Sequence, residues 1–567
     1  MTCEKKIAGI FRKPLAWAVL LNACFLAFFL ALGSHTFSSL DDFFMSSVLT
    51  GAYGGEYDCH LYFVKSVYGH FLKVFYSLFP LVGWYYLLEM AGVFFAFTGM
   101  CFVAVKQLGP GKGTLVALLL LSCLAPDFYL NMNFTQCAEI LTASGAVLGV
   151  YGCFEKHKLS MIAGFVLLMW GYVMRNDAFL LSLPFIFGAV FFEAVCFRRF
   201  PKEIAIAAAC CGALIGGVNA LDQHDFLEEG YGQYAAYQGP RAFFGDGRFY
   251  DFDAALSVLE EQCVSGNDLR AARGWMLYDT KIFSIDSLHP LMSAAFNNRY
   301  EMNGERTLIS AAGKFSKSLW YTTAWCWFVV GFFIALYSKK RFAGFAPWAS
   351  FAAMALCYGY LFYVNRFVHH VEVGIWLYGV AMLLPFVGQS YLLKWNVSKK
   401  SLVVAFSFIL VMFLVSLNYI SVSRFSFAGD STKDRADFEQ VVDFMEHHED
   451  NAYLLPFDLY KRVGSSKNKN AFRAIESGSW KNIFPLGYWN MYLPGMVREM
   501  KKLSVENPLQ DMVRDNVFVL QERDAFSFGP KIVWEEHYGK SLAVDTVFSS
   551  GKFEVVKYFV AGGDGEK

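Results

Sequence analysis

Residues 38–60 read SSLDDFFMSSVLTGAYGGEYDCH and follow directly on the first long apolar run, 15–33. Asp41 and Asp42 are adjacent carboxylates just past a membrane exit. Gly51, Gly54 and Gly55 make a glycine-rich turn, and Glu56, Asp58 and His60 form a further ionisable cluster beyond it. Charge beside a bilayer is costly if it drifts into hydrocarbon, so such clusters are either solvated caps or functional groups. The local reading is a helix start, with Ser39 as N-cap and both acids in the first turn. Two carboxylates, a glycine turn and an aromatic, membrane-hugging segment together point further, to a catalytic loop.

The rest of the composition places this loop in a membrane protein. The 567 residues are 56% hydrophobic and only 17% charged. Soluble chains carry nearer a quarter charged residues. Aromatic content is 18%, which suits the interfacial zones of a multi-span protein. The formal net charge is zero, so no polyanionic partner is implied and nucleic-acid binding has no support. All 13 cysteines lie at or before Cys357, most inside apolar runs where they act as small hydrophobes. Only Cys59 and Cys263 fall clearly in outer loops, and their spacing does not argue for a disulfide. Lys5, Lys6, Arg12 and Lys13 precede the first run and no small-residue cleavage site follows it, so it reads as a retained helix.

Runs long enough to cross hydrocarbon occur at 15–33, 83–105, 114–131, 136–153, 159–175, 178–197, 204–221, 319–338, 343–364, 372–393 and 401–421. Basic residues recur in every second loop: Lys106 and Lys112; Lys156 and Lys158; Arg198, Arg199 and Lys202; Lys339, Lys340 and Arg341; Lys394, Lys399 and Lys400. They share a side with the basic N-terminus, which predicts N-terminus in and C-terminus out. The expected fold is a polytopic α-helical membrane protein of about 11 spans, residues 1–421, with a small C-terminal α/β extracytoplasmic domain, 422–567.

Three large pieces then face outward. In loop 34–82, LYFVKSVYGHFLKVFYSLFP is too polar to span and too apolar to float free, so it is expected along the interface as one or two helices. Loop 222–318 is too long to be structureless and carries the Tyr-rich segment 231–250 with Arg241, and an amphipathic stretch near 254–262. The tail alternates helical patterns (435–449, 496–503, 531–539) with strand patterns (452–457, 516–522, 553–559). It lacks phosphate-loop, Rossmann and zinc motifs and reads as a binding or lid module, not the chemistry.

Other ionisable residues sit at outward span ends: Arg175-Asn176-Asp177, Asn365-Arg366, His369-His370-Val371-Glu372, and Glu139 just inside. Each has a plain explanation. Arg175 suits a snorkelling span terminus, and His369-His370 an interfacial turn, since a helical metal pair wants i, i+4 spacing. Together they converge on one membrane face from distant helices, as a site in a bundle requires. A carboxylate there suits a general base or, with a neighbour, a divalent-cation ligand. Arginines suit a bidentate phosphate grip.

With these residues in place, the sequence resembles the C-type (GT-C) integral-membrane glycosyltransferases, most closely bacterial members whose first loop reads much like LDDFFMSSVLTGAYGGEYDCHLYFVKSVYGHFLKVFYSLFPLVGWY. The resemblance covers roughly the first 380 residues in architecture. It implies a glycosyltransferase, hexosyl or pentosyl and inverting, with Asp41 or Asp42 as base. It implies a polyprenyl-phosphate sugar donor and a cell-envelope glycan, glycolipid or polymer as acceptor, among the lipids of a bacterial cell membrane. Arg175 and Arg366 are phosphate contacts by position, and Asp58, His60, Asp177, Arg241 and His369 are further substrate-binding candidates. Metal dependence stays open, with Asp42 and Asp58 as ligands if Mg or Mn is used. No WWD-type signature appears, which weakens an oligosaccharyltransferase. The competing readings are a transporter or flippase for a lipid-linked saccharide, against which the ionisable groups sit mostly at span ends and no repeat is found, and a non-catalytic polysaccharide assembly factor.

Overall fold

Long apolar runs in hydrocarbon satisfy their backbone groups internally by forming helices. The chain does so throughout the computed structural model, which describes residues 13–33, 35–245, 251–259, 264–297, 308–364, 367–388, 390–393, 398–423, 432–523 and 529–561. All eleven expected spans are helical, at Pro14–Leu32, Trp84–Leu108, Pro110–Leu130, Phe134–Glu155, Lys158–Met174, Asn176–Phe197, Lys202–Asp225, Thr322–Tyr337, Arg341–Tyr363, His369–Leu383 and Lys399–Ser423. Among the described residues, nine helices are long and apolar enough to cross a membrane. The two that fall short are informative. Lys158–Met174 has only 17 residues. Thr322–Tyr337 is preceded, after an 82° bend, by the end of the large loop's last helix. The chain is a multi-pass membrane protein.

The bundle's centre is Phe134–Glu155, whose side chains are almost all buried. It forms a hairpin with Lys158–Met174 through Lys156 in the left-handed region (φ 57°). The two helices approach closely at Gly145 and Gly164, where an added Cβ would come within 2.8 Å of backbone. Outward-facing Leu159, Ile162 and Val166 are exposed, as lipid-facing residues are. At one end of the bundle the basic loops meet: Lys340 lies over the rings of Phe197 and Tyr391, and Arg199 donates to the carbonyl of Phe154.

At the other end sit the first loop, the large loop and the tail. The first loop holds two helices, Leu40–Leu49 and Ser66–Leu78. Ser66–Leu78 buries Tyr68, Leu72 and Tyr76 and exposes Phe71, Val74 and Leu78, the amphipathic division expected of an interfacial helix. Among its described residues the large loop contains the helices Tyr231–Gly245, Phe252–Leu259, Gly266–Arg273, Ile285–Asn297 and Leu308–Ser318. The tail is an α/β unit whose strands, among the described residues, are β1 (Ala452–Leu455), β2 (Ile483–Pro485), β3 (Val517–Glu522), β4 (Leu542–Ser550) and β5 (Phe553–Val560). Their order is β2-β1-β3-β5-β4; β1 runs parallel to β2 and β3, while β5 is antiparallel to β3 and β4. The sequence reading anticipated β1, β3 and β5 but neither three-residue β2 nor β4.

The tail is built into the first loop. The hydroxyls of Tyr53 and Tyr460 hydrogen-bond each other, and Asn490 Nδ2 donates to both. Phe44 stacks flat on Tyr460 at 4.6 Å, and Trp480 packs edge-on against Phe43 and Phe44. The Gly83 N–H donates to the Phe472 carbonyl, and the Tyr278 N–H to that of Leu486, so the tail also touches a span end and the large loop. Gly487 permits the latter contact, because a Cβ there would stand 1.4 Å from the carbonyl oxygen of Trp275. Gly487→Ala is expected to destabilise the protein by about 3 kcal/mol through forced displacement of backbone. Gly212→Ala, with nothing within 4 Å of the added methyl, is the control. Thermal unfolding of both variants in detergent reads the difference.

Candidate active site

The first-loop helix begins as the sequence suggests: Ser39 is its N-cap, and its hydroxyl accepts the Asp41 N–H at 3.1 Å. Adjacent residues on a helix point about 100° apart, so the two acids cannot share surroundings. Asp41 faces a cavity of about 400 Å³. Asp42 is fully buried behind it, with Oδ1 accepting the Tyr85 hydroxyl at 2.7 Å and the Phe134 N–H at 3.1 Å. The buried Glu89 carboxyl is a further hydrogen-bonding neighbour of Asp42. Burial pushes the Asp42 carboxyl up to about 7, against the lowering effect of Tyr85 and neighbouring Glu89.

The cavity draws its walls from every part of the chain. The first loop supplies Ser38, Ser39, Asp41 and Phe63, and the turn between two spans supplies Asn131, Asn133 and Gln136. Arg175, His369 and His370 come from other span ends, Arg241 and Trp275 from the large loop, and Phe457, Tyr488 and Trp489 from the tail. Tyr488 donates its hydroxyl to Asp41 Oδ1. Burial first, and then the charge of Asp41, push that hydroxyl well above its usual range, so it stays a donor. The Tyr488 backbone has φ 128°, a conformation side-chain-bearing residues rarely adopt and that surrounding packing must hold. Phe44, Trp275 and Phe457 supply that packing, with ring centroids 5.0 to 5.5 Å away.

Two guanidiniums line the same space. Arg175 joins the spans Lys158–Met174 and Asn176–Phe197 in extended conformation. It lies 5.3 Å from the rings of both Phe63 and Phe134, and its Nη2 pairs with Asp177 at 3.1 Å. Arg241 is 2% exposed. It lies over Trp275 at 4.9 Å and Tyr62 at 5.4 Å. Its Nε donates to Gln238, which in turn donates to the Trp489 carbonyl at 2.6 Å. Among the described residues Arg241 makes no ion pair. On the opposite wall His369 Nε2 lies 3.2 Å from Asp127 Oδ2.

The structure thus brings together Asp41, Arg175, Arg241 and His369, with Asp42 directly behind. Asp177 stays at the edge as the exposed partner of Arg175. Asp58 and His60 stand elsewhere. Asp58 accepts His60 Nδ1 at 2.8 Å and the Tyr231 hydroxyl at 2.9 Å, and His60 stacks on Tyr231 at 3.6 Å. Burial works to lower the His60 pKa, but the Asp58 carboxylate and Cys59 outweigh it and hold it up at about 10. The cationic ring donates to Asp58 and to the Asp225 carbonyl, clasping the first loop to the large one. Cys59 is a free thiol; Cys263, Asn365 and Arg366 lie outside the described residues. The tail, expected as a binding or lid module, contributes a wall of the cavity, and Tyr488 touches Asp41 itself. Its sequence signal was the aromatic knot Tyr488-Trp489-Asn490-Met491-Tyr492 in an otherwise charged tail.

No family model matches the sequence, and neither does any curated protein. Among solved structures, the apo crystal structure of ArnT from Cupriavidus metallidurans is similar, with 11% identity and a TM-score of 0.42 over 98% of this chain and 98% of that one. The same protein bound to undecaprenyl phosphate gives 11% identity and a TM-score of 0.41 over 96% and 98% of the two chains.

Asp42 binds its proton more tightly folded than unfolded, so between the ordinary carboxylate range near 3.8 and about 7 the native state holds more protons than the unfolded one. Stability from this group therefore falls as pH rises through that window. Asp42→Asn is expected to flatten the decline, and unfolding midpoints of both proteins from pH 4 to 8 test it.

Proposed function

We propose that the protein is a membrane glycosyltransferase of the GT-C type that moves one sugar from a polyprenyl-phosphate carrier to an acceptor hydroxyl. The observation that carries the reading is the cavity that sets Asp41 beside Arg241 and Arg175. A buried guanidinium without a carboxylate partner is unfavourable unless an anion reaches it, and Arg241 faces a space large enough to admit one. Both arginines are held flat by aromatic rings, which fixes the donor forks that match phosphate oxygens.

In this reading the Asp41 carboxylate takes the proton of the acceptor hydroxyl. The freed oxygen forms a bond to the anomeric carbon as the bond from that carbon to the phosphate oxygen breaks. The electron pair leaves on the carrier phosphate, where Arg241 and Arg175 offset the growing charge. A single displacement inverts the anomeric centre. Asp41 fits the base better than Asp42, because a base must reach its proton and Asp42 is sealed from the cavity. Asp42 instead fixes the start of the next span wall through Tyr85 and the Phe134 N–H.

The donor set does not suit a divalent cation at Asp42 and Asp58. Hard cations want several converging oxygen ligands, whereas Asp42 is turned inward and Asp58 is clasped by His60 and Tyr231. We assign no step to a metal. The acceptor is a glycan, glycolipid or polymer of the envelope of a bacterial cell, and the cavity opens where the chain's large loops gather. The transporter reading has less to support it, because these charged groups stand at span ends.

With purified protein and radiolabelled polyprenyl-phosphate sugars, Asp41→Asn is expected to lower transfer by about 10² to 10⁴. Asp42→Asn keeps measurable transfer, and Arg241→Gln weakens donor binding. Transfer persists in EDTA. Equal activity of wild type and Asp41→Asn would sink the assignment.

A further inference from the structure

A second cavity, of about 450 Å³, lies in the tail at the far end of the helix Phe457–Lys467. Phe457 touches the first cavity and Lys467 the second, and ten residues of helix separate them by about 15 Å. Lys467, Lys469 and Arg473 stand around it, together with the carboxylates of Glu446 and Glu476. Lys467 pairs with Glu446 at 2.7 Å and Lys469 with Glu439 at 3.2 Å. Arg473 is exposed and makes no ion pair among the described residues. The cavity's inner wall includes Trp480, only 2% exposed, whose indole N–H has no hydrogen-bond partner among the described residues. A buried donor of that kind is unfavourable without an acceptor.

The cavity's position says what kind of ligand it meets. Its lip, residues 471–474, is tied to the ends of two spans. The Ala471 N–H donates to the His35 carbonyl, just past Pro14–Leu32. Arg473 forms an antiparallel bridge with Val82, and the Gly83 N–H donates to Phe472, just before Trp84–Leu108. Beside it Leu78, Phe79 and Leu81 are 66%, 59% and 82% exposed. A strap of exposed large apolar residues next to two span ends lies where acyl chains begin, and the cations above it lie at headgroup depth.

We propose that this cavity holds the phosphate headgroup of an anionic membrane lipid, with Arg473 and Lys467 at the phosphate and the acyl chains over Leu78 to Leu81. Cations at this depth attract anionic lipid, and an arginine takes phosphate bidentately. The site is distinct from the transfer cavity, shares no lining residue with it, and does not depend on the reaction proposed above.

The test uses the full chain in neutral detergent, titrated with phosphatidylglycerol, phosphatidylcholine or inorganic phosphate while its thermal unfolding midpoint is followed. Phosphatidylglycerol is expected to raise the midpoint more than phosphatidylcholine. Arg473→Glu should weaken that response about tenfold or more in lipid concentration while leaving the lipid-free midpoint unchanged. Arg473→Gln, a milder change, serves if the charge reversal unfolds the protein. Equal responses to the two lipids, an undiminished response in the Arg473 variants, or an equal effect of inorganic phosphate would each overturn the proposal.

Discussion

The hydroxyl of Tyr488 on the carboxylate of Asp41 is the contact on which the site depends. One partner stands in the first turn of a ten-residue helix at a membrane exit, the other in a strained loop of a domain almost 450 residues later. A short helix of that length is marginal alone, and its position comes from what is packed on it. The buried Tyr53–Tyr460–Asn490 hydrogen bonds and the Phe44–Tyr460 stack do that packing. The tail is therefore part of the scaffold that aims the acid.

The large loop closes the remaining side by the same logic. Arg241 is oriented by Gln238 and two aromatic rings, and Gln238 is itself anchored to the backbone of Trp489 in the tail. His60 and Asp58 hold the loop's root against the first loop through Tyr231. Charges read from the sequence as binding groups thus divide by environment. Those with aromatic neighbours and an open side line the cavity, and those whose hydrogen bonds are saturated within the protein serve as clasps.

Much of the architecture was legible because hydrocarbon imposes length and apolarity on each span. All eleven runs became helices, and the basic loops gathered at one end of the bundle as their alternation required. The Ser39 cap was equally local and equally legible. What escaped was set by distant contacts. Adjacent aspartates look alike in sequence, and only the helix's placement turned Asp41 outward and Asp42 inward. Strand β2, three residues long, has no periodicity to read, and its place comes from pairing with β1. Tyr488 and Trp489 carry no charge or motif that marks them out, and their role comes from contacts with the first and large loops.

The helix Lys158–Met174 has a consequence for the lipid around it. Seventeen residues rise only about 25 Å, less than the roughly 30 Å of an average hydrocarbon layer. Its exposed apolar residues Leu159, Ile162 and Val166 all stand in the half that begins at Lys158, so lipid meets the helix mainly at the end away from Arg175. Arg175 caps that helix. Gly171, Tyr172 and Met174, next to Arg175, are buried against other helices, so the missing length falls where protein and not lipid surrounds the helix, and Arg175 stands at the end of that covered stretch.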